Sequence, residues 1–458
     1  MTNTKKKIPA GFIYFFGAFG GILFGYDIGV MTGALPFLQK DWPAAQNPTV
    51  IAWITSSLML GAIVGGALAG QLSDKLGRRR MILISSAVFG VGAIMAGLSP
   101  DNGVAWLLVA RVLLGLAVGA ASALVPSYMS EMAPAEKRGS LSGLNQLMIV
   151  SGMLISYIMD YLLQELPEGL SWRLMLGLAA VPAVILFFGV LKLPESPRFL
   201  VKQGKFAEAR EVLSYIRPDN VIASELHDIQ ETSDKEAQAA ANINLGTLFS
   251  GKYRYLVIAG IGVAAFQQFM GANAIFYYIP LIVEKATGQA ASSALLWPII
   301  QGVILVIGAI VYMMVGDRFS RRKMLMLGGT VMALSFLMPA ILNMVVGADK
   351  LPSMTIVVFL SIFVAFYSFT WAPLTWVLVG EIFPLAIRGR ASGLASSFNW
   401  LGSFAVGLLF PIMTAHMSQS AVFAIFGVIS IIAVLFIRFR VPETAGRTLE
   451  EIEADGTN

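Results

Sequence analysis

The chain has 458 residues, of which 57% are hydrophobic and only 13% charged, with a net charge of +5. Soluble domains carry about 25% charged residues, so together with a mean hydropathy of +0.74 the composition describes a polytopic membrane protein. The absence of cysteine excludes disulfides, thiolate catalysis and cysteine-ligated metals. The two histidines, His227 and His416, lie far apart and belong to no metal-ligating spacing. The positive charges sit in short loops between apolar segments. That placement fits the cytoplasmic face of a membrane better than nucleic-acid binding.

A membrane-spanning helix needs about 20 mainly apolar residues. Six segments qualify in the first part of the chain, at 10–36, 49–72, 80–98, 103–130, 139–163 and 172–193. Six more follow at 252–286, 293–316, 322–347, 353–380, 390–413 and 421–440. The first apolar stretch, Gly11 to Leu35, is too long for the core of a signal peptide and contains Asp27, so it reads as a retained helix. Between the two sets, 194–251 is polar, with helical patterns over Phe206–Ile216 and Ser224–Ala240, and reads as an amphipathic linker. The predicted organisation is an N-terminal six-helix bundle (1–193), a cytoplasmic linker (194–251), a C-terminal six-helix bundle (252–441) and a cytoplasmic tail (442–458). With both termini inside, every Lys and Arg is cytoplasmic except Lys40, Arg173, Lys285 and Lys350, and Arg111 within a helix. This asymmetry predicts cytoplasmic N and C termini.

The two sets of six are copies. Glu131-Met-Ala-Pro134-Ala-Glu-Lys-Arg138-Gly139 recurs 250 residues later as Glu381-Ile-Phe-Pro384-Leu-Ala-Ile-Arg388-Gly389. The loop Ser73-Asp74-Lys-Leu-Gly77-Arg78-Arg79-Arg80 has its echo in Gly316-Asp317-Arg318-Phe-Ser320-Arg321-Arg322-Lys323, and Pro194-Glu195-Ser196-Pro197-Arg198 in Pro442-Glu443-Thr444. Duplicated halves in a membrane chain point to a transporter that rocks one half against the other. Asp74, Arg78, Glu131 and Arg138, with Asp317, Arg321, Glu381 and Arg388, fall at cytoplasmic helix ends. They are expected to form a charge network that locks the halves together on the inside; the simpler alternative is that the arginines only anchor the topology.

Two ionisable residues fall deep in the predicted spans, Asp27 in the first and Arg111 in the fourth. Counted from the inner helix ends at about 1.5 Å per residue, their depths agree within one turn. Either charge alone in lipid costs about 2.5–3.5 kcal/mol or more, so pairing is expected. The pair serves either proton coupling or the static orientation of two helices. In the seventh span, Phe266-Gln267-Gln268-Phe-Met-Gly271-Ala-Asn273-Ala-Ile-Phe-Tyr277-Tyr278 holds three amides in seven residues. Amides both donate and accept hydrogen bonds, and aromatic rings beside them offer a flat apolar surface, a combination suited to a neutral polar ligand. Interhelical hydrogen bonding is the alternative use. Gln267 and Tyr278, eleven residues apart, are expected on one helical face, with Gly271 allowing a bend between them. Gly61, Gly65, Gly66 and Gly70, with Gly115 and Gly119, read as sites of close helix packing.

The loop D-x-x-G-R-R, the repeated E-x-x-P-x-x-x-R-G, P-E-S-P-R and the terminal P-E-T-x-G-R together resemble the signature set of the sugar porter family of the major facilitator superfamily, over nearly the whole chain. The resemblance implies an all-α membrane fold of twelve helices in two pseudo-symmetric six-helix bundles, with one sugar site between them. It implies a substrate-binding role for Gln267, Gln268, Asn273 and Tyr278, and by local match for Phe24, Gln146, Trp376, Asn399 and Trp400. It also implies that Asp27, partnered by Arg111, is a proton acceptor, since the family's facilitators lack this aspartate. Pro373 is expected to break the tenth span. The chain departs from the family at Leu305, where an Asn is usual and Gln301 lies one turn earlier, at Ala372, where many relatives have Gly, and at Ser320, which replaces a loop glycine.

The expected function is proton-coupled import of a monosaccharide, a hexose or pentose such as glucose, xylose or galactose, by alternating access. A passive facilitator and a non-transporting sugar receptor are the alternatives, the receptor disfavoured by the about 18 residues after the last span. No G-x-x-x-x-G-K-[ST] loop for ATP is present, and no catalytic constellation suggests an enzyme. The partners expected are a monosaccharide, a proton and the lipid bilayer, with no cofactor beyond the proton and no nucleic acid. The protein is expected to act as a monomer in the cell (plasma or inner) membrane.

Overall fold

The computed structural model describes residues 8–134, 138–241, 245–249, 251, 253–288, 294–346, 352, 354–384 and 387–445. Among the described residues, twelve helices are long and apolar enough to cross a membrane, with mean hydropathies between 1.4 and 2.8. The first six are α1 (Ala10–Asp41), α2 (Pro48–Leu76), α3 (Arg78–Gly97), α4 (Val104–Met132), α5 (Arg138–Leu163) and α6 (Ser171–Leu191). The second six are α7 (Arg254–Glu284), α8 (Leu296–Val315), α9 (Arg321–Val346), α10 (Met354–Ile382), α11 (Arg388–His416) and α12 (Gln419–Arg440). Each predicted span is present. Several run further than their apolar centres, α1 to Asp41 for example, because helical hydrogen bonding continues into polar residues at the membrane edge. An even number of spans places both ends of the chain and the linker on one face, which we call the linker face; the other is the far face.

Four helices are interrupted: α1 by a turn residue at Phe19 and α6 by one at Ala179, both with helical φ and ψ, and α7 and α10 more strongly. In α7 the segments Arg254–Phe269 and Ala272–Thr287 meet at Gly271, whose φ of 91° is left-handed. A side chain there would be strained, and its Cβ would stand 2.8 Å from the Phe426 ring. In α10 a π turn, Tyr367–Trp371, precedes the segment Ala372–Ile382. The expected break near Pro373 takes this form: Pro373 stands in the first turn of the α-helical segment that follows the π turn. A proline tolerates that position because its missing N–H costs no bond there.

Bare backbone brings helices into contact within the first half. A Cβ at Gly115 would lie 1.9 Å from the Leu58 carbonyl oxygen, and one at Gly65 2.1 Å from that of Leu116. So α2 and α4 touch through their main chains, as the glycine spacing predicts. Buried hydroxyls bond to carbonyls of their own helix, as Thr55 does to Ile51 at 2.9 Å, which removes their cost in an apolar interior. Side chains such as Val64, Leu68, Val109, Phe188, Met314 and Phe439 stay exposed and form an apolar surface suited to lipid.

The halves meet through α2 against α11, α5 against α8, and α1 against the second segment of α7. Adding six to each helix number turns the α5–α8 contact into α11–α2, so the interface obeys the same two-fold relation as the sequence repeat. The linker contributes helices Pro197–Lys202, Phe206–Ile216 and Ile222–Ala241. Arg217 fastens them to the first bundle: it pairs with Glu225 at 2.7 Å and donates to the carbonyls of Met132 and Ala133 at 3.0 and 2.9 Å.

Candidate functional site

The break at Gly271 sets the geometry of the amide cluster. Gln267, in the last turn of the first α7 segment, donates to the carbonyls of Trp371 and Ala372 in α10 at 3.0 and 3.2 Å. Asn399 of α11 donates to the Gln267 side-chain oxygen at 2.7 Å and to the Ala264 carbonyl at 2.7 Å. Gln268 donates to the Asn399 oxygen at 3.3 Å. Asn273, just past the break, donates to the Gln268 oxygen at 3.0 Å and to Ser403 of α11. Gln267, Gln268, Asn273 and Asn399 are thus one network joining α7, α10 and α11. Every one of these amides has both donor and acceptor character, so a ligand hydroxyl can replace any link without leaving an orphan.

The other expected contact residues surround this network at different distances. Phe24 of α1 and Trp400 of α11 face each other across the halves, ring centroids 5.4 Å apart. Trp376 lies beyond the π turn toward the linker face and is 42% exposed. Gln146 is half-buried on α5, in the opposite half. Gln301 donates to Ser361 of α10 at 2.8 Å, directed to a neighbouring helix rather than to the amide network. Leu305 packs in the core, its carbonyl accepting from Ser368 at 2.6 Å.

Tyr278 does not act with Gln267 on one face. The interruption at Gly271 resets the helical phase, and the Tyr278 hydroxyl meets Thr55 of α2 at 2.6 Å while donating to the Gly407 carbonyl at 3.1 Å. Nearby, Thr32 of α1 donates to the Phe276 carbonyl of α7 at 2.5 Å. These two bonds cross between the halves and close the interior toward the far face. Beyond them a cavity of about 190 Å³ opens to that face, lined by Gln39, Gln46, Tyr278, Phe410, Thr414 and Gln419.

Asp27 and Arg111 pair as expected. The Arg111 Nη1 donates to Asp27 Oδ1 at 2.8 Å, and both side chains are at most 1% exposed. Among the described residues, Asp27 Oδ2 and Arg111 Nε and Nη2 have no hydrogen-bond partner. Tyr277 of α7 lies against the pair, so a charge change in the first half is felt by a helix of the second.

At the linker face the repeated motifs build matching clusters. Arg78 bonds Glu131 at 3.2 Å and Asp74 at 3.0 Å, while Ser196 donates to Glu131. Glu195 accepts from the backbone N–H groups of Arg78 and Arg79, at 2.9 and 3.1 Å, where α3 begins. In the second half Arg321 pairs with Glu381 at 3.5 Å and Thr444 donates to Glu381 at 2.6 Å. Glu443 accepts from the N–H groups of Arg321 and Arg322 at 3.0 and 3.3 Å, and from Ser320. Carboxylates are stabilised at helix N-termini by unpaired N–H groups and the helix dipole. Burial alone would raise the Glu443 carboxyl, but the bonds from Ser320, Ala445, Arg322 and Arg321 outweigh it and hold it below the ordinary glutamate value.

The pairs described here lie within one half each, not across the halves. Each cluster ties the α2–α3 or α8–α9 turn to the end of α4 or α10 and to the segment after the sixth helix of the same half. The arginines find carboxylates on their own bundle because those helix ends already converge by packing. Arg388 donates to the Phe383 carbonyl at 3.1 Å; the side chains of Arg138 and Asp317 lie outside the described residues. Sequence reasoning passed over Glu195, Ser196, Glu443 and Thr444 as site residues although their motifs repeat, and the repetition was the signal available.

The family model for sugar (and other) transporters matches residues 13–455. The chain is 41% identical over 452 residues to the D-xylose transporter of Levilactobacillus brevis, covering 98% of this chain and 96% of that protein. It is 41% identical over 442 residues to the glucose transporter GlcP of Staphylococcus epidermidis, covering 96% of each. The fold superposes on the E. coli proton:xylose symporter XylE bound to 6-bromo-6-deoxy-D-glucose with a TM-score of 0.82 and 29% identity, over 97% of this chain and 98% of that one. Two six-helix bundles, a bonded amide network beside a broken seventh helix and a family match along almost the whole sequence agree: this chain belongs to the sugar porter family of the major facilitator superfamily, a family of transporters and not of enzymes.

Proposed function

We propose that the chain imports a monosaccharide together with a proton by alternating access, with the linker face in the cytoplasm. The observation that carries this reading is the Asp27–Arg111 pair, fully buried at 2.8 Å and in contact with α7 through Tyr277. A charge pair retained in a membrane interior is costly unless it is used or fully satisfied, and here three of its polar atoms have no partner among the described residues. The kinship to a proton:xylose symporter supports the same conclusion.

In this reading, extracellular sugar reaches the amide network through the far face while the Thr55–Tyr278 and Thr32–Phe276 bonds are open. Gln267, Gln268, Asn273 and Asn399, with Gln146 from the other half, exchange their mutual bonds for sugar hydroxyls, and Phe24, Trp376 and Trp400 offer aromatic surface. A proton on Asp27 cancels its attraction to Arg111. The first bundle can then repack against Tyr277, the far face seals, and the site opens to the cytoplasm. The terminal clusters around Glu131 and Glu381 keep each bundle rigid as it moves.

The test is uptake of labelled D-xylose, D-glucose, D-galactose and L-arabinose by proteoliposomes with and without an inward proton gradient. Accumulation above equilibrium that needs the gradient supports symport. Asp27→Asn is expected to abolish accumulation and retain sugar exchange. Equilibration that ignores the gradient overturns proton coupling and makes the chain a facilitator.

A further inference from the structure

A third ionisable residue is buried in the membrane region, and neither the transport reading nor the repeated motifs make use of it. Asp160, near the far end of α5, is 1% exposed. Neither of its side-chain oxygens has a hydrogen-bond partner among the described residues. The carboxyl rests on the bare backbone of α1: a Cβ at Gly33 would come within 2.2 Å of Oδ2. Glycine at 33 is what lets α1 come so close, and the approach excludes water from the carboxyl. An ionised carboxylate in an apolar interior, with only the Gly33 backbone N–H beside it and no opposite charge, carries a desolvation cost that this one group does not offset. A neutral carboxylic acid avoids most of that cost.

Its position gives the protonation a consequence. Gly33 follows Thr32, whose hydroxyl makes the cross-half bond to the Phe276 carbonyl. Tyr157, one turn before Asp160 on α5, lies against Thr32 and near Tyr277 of α7, and its ring is 3.1 Å from the Cβ position of Gly302 on α8. The carboxyl therefore sits directly behind the seal of the far face, where α1, α5, α7 and α8 converge. The titratable groups facing it are Tyr26 on α1 and Tyr157 on its own helix, with Tyr277 behind Tyr157. All three are uncharged near neutral pH. Asp27 lies deeper along α1, where it and Arg111 of α4 neutralise each other. Among these neighbours none supplies a compensating positive charge.

We propose that Asp160 is a second proton-binding carboxyl group, loaded from the far face, whose neutral form permits that face to close. Opening hydrates the carboxyl and lets it ionise. Closing buries it again and requires the proton back. Acid on the far side then favours closure in the same direction as protonation of Asp27. This rests on the alternating-access reading, but its test needs neither sugar nor a gradient.

The chain has no cysteine, so a spin-label pair can be placed without background. Gln39→Cys on α1 and Gln419→Cys on α12 stand on opposite halves at the rim of the far-face cavity. Distances are measured by pulsed dipolar spectroscopy on sugar-free protein in lipid nanodiscs from acid to alkaline pH, in an Asp27→Asn background that removes the first titration. The expected result is a long-distance population that grows as pH rises and that disappears when Asp160→Asn, a neutral isostere, is added. Asp160→Glu keeps a titrating group and is expected to retain the response with a displaced midpoint. A background variant whose distances ignore pH overturns the proposal, as does the same response with and without the Asp160 carboxyl. Should uptake prove independent of protons while this response persists, the symport reading fails and the Asp160 proposal stands.

Discussion

Replacing Tyr278 by phenylalanine isolates the bond that seals the far face. The Tyr278 hydroxyl makes two contacts, to Thr55 at 2.6 Å and to the Gly407 carbonyl at 3.1 Å. The second stays within one bundle and is kept whichever face is open, so only the Thr55 bond distinguishes the two states. The ring remains stacked on Phe410, centroids 5.0 Å apart, because phenylalanine preserves it. Thr55 is left bonded to Ile51 at 2.9 Å, so no buried hydroxyl is orphaned. The loss is therefore that of one ordinary hydrogen bond, about 1 kcal/mol, equivalent to a shift of roughly fivefold toward the open far face. Ile51 lines the cavity behind this bond. In an Ile51→Cys background a membrane-impermeant thiol reagent should label the Tyr278→Phe protein about fivefold faster than its parent. Thr55→Val should do the same, and the two together no more than either alone, giving a coupling of about 1 kcal/mol in a double-mutant cycle. Fully additive effects would refute the assignment, since they would mean that the two side chains act separately.

Other outcomes follow from the same geometry. Arg111→Leu strands the buried Asp27 carboxylate and should lower thermal stability by about 3–5 kcal/mol, while Asp27→Leu added to it should restore most of the loss; a melting curve on purified protein decides. Gly115→Val forces a side chain into the Leu58 carbonyl at 1.9 Å, whereas nothing lies within 4 Å of a Cβ at Gly70. The first should abolish monodisperse expression and Gly70→Ala should leave it unchanged. Glu443 has a depressed folded-state value, so its stabilisation is present above the ordinary glutamate value of about 4.3 and is lost as pH falls through the lower folded value. Glu443→Gln should melt at lower temperature than the parent at neutral pH, and the two curves should converge in strong acid.

The span count, the duplication and the Asp27–Arg111 pair were legible because each depends on runs of residue type or on a charge that lipid will not accept alone. The amide cluster was legible for the same reason: three amides in one apolar helix need partners. What escaped was set by contacts between distant segments. Asp160 stands close to a loop in sequence, and only the approach of Gly33 removes it from water. Tyr278 was assigned to the face of Gln267 by counting turns, which fails across a left-handed glycine. The partners that the arginines find within their own half, Glu131 for Arg78 and Glu381 for Arg321, are set by helix packing. Pro373 marked the disturbance in α10, but not its form as a π turn over Tyr367–Trp371.

Tyr277 and Tyr278 are neighbours on one short rigid segment that begins at Gly271. One lies against the buried ion pair and the other holds the seal of the far face. Consecutive residues on a helix are fixed about 100° apart, so a turn of this segment about its axis moves both contacts in a single stroke, as a crank does. In the proton-coupled cycle proposed above, a proton crossing without the seal opening and closing would require the two tyrosines to move independently. The fidelity of coupling then resides in the stiffness of about one and a half turns of backbone after the joint, and a second flexible residue placed there would uncouple the carrier without touching either binding site.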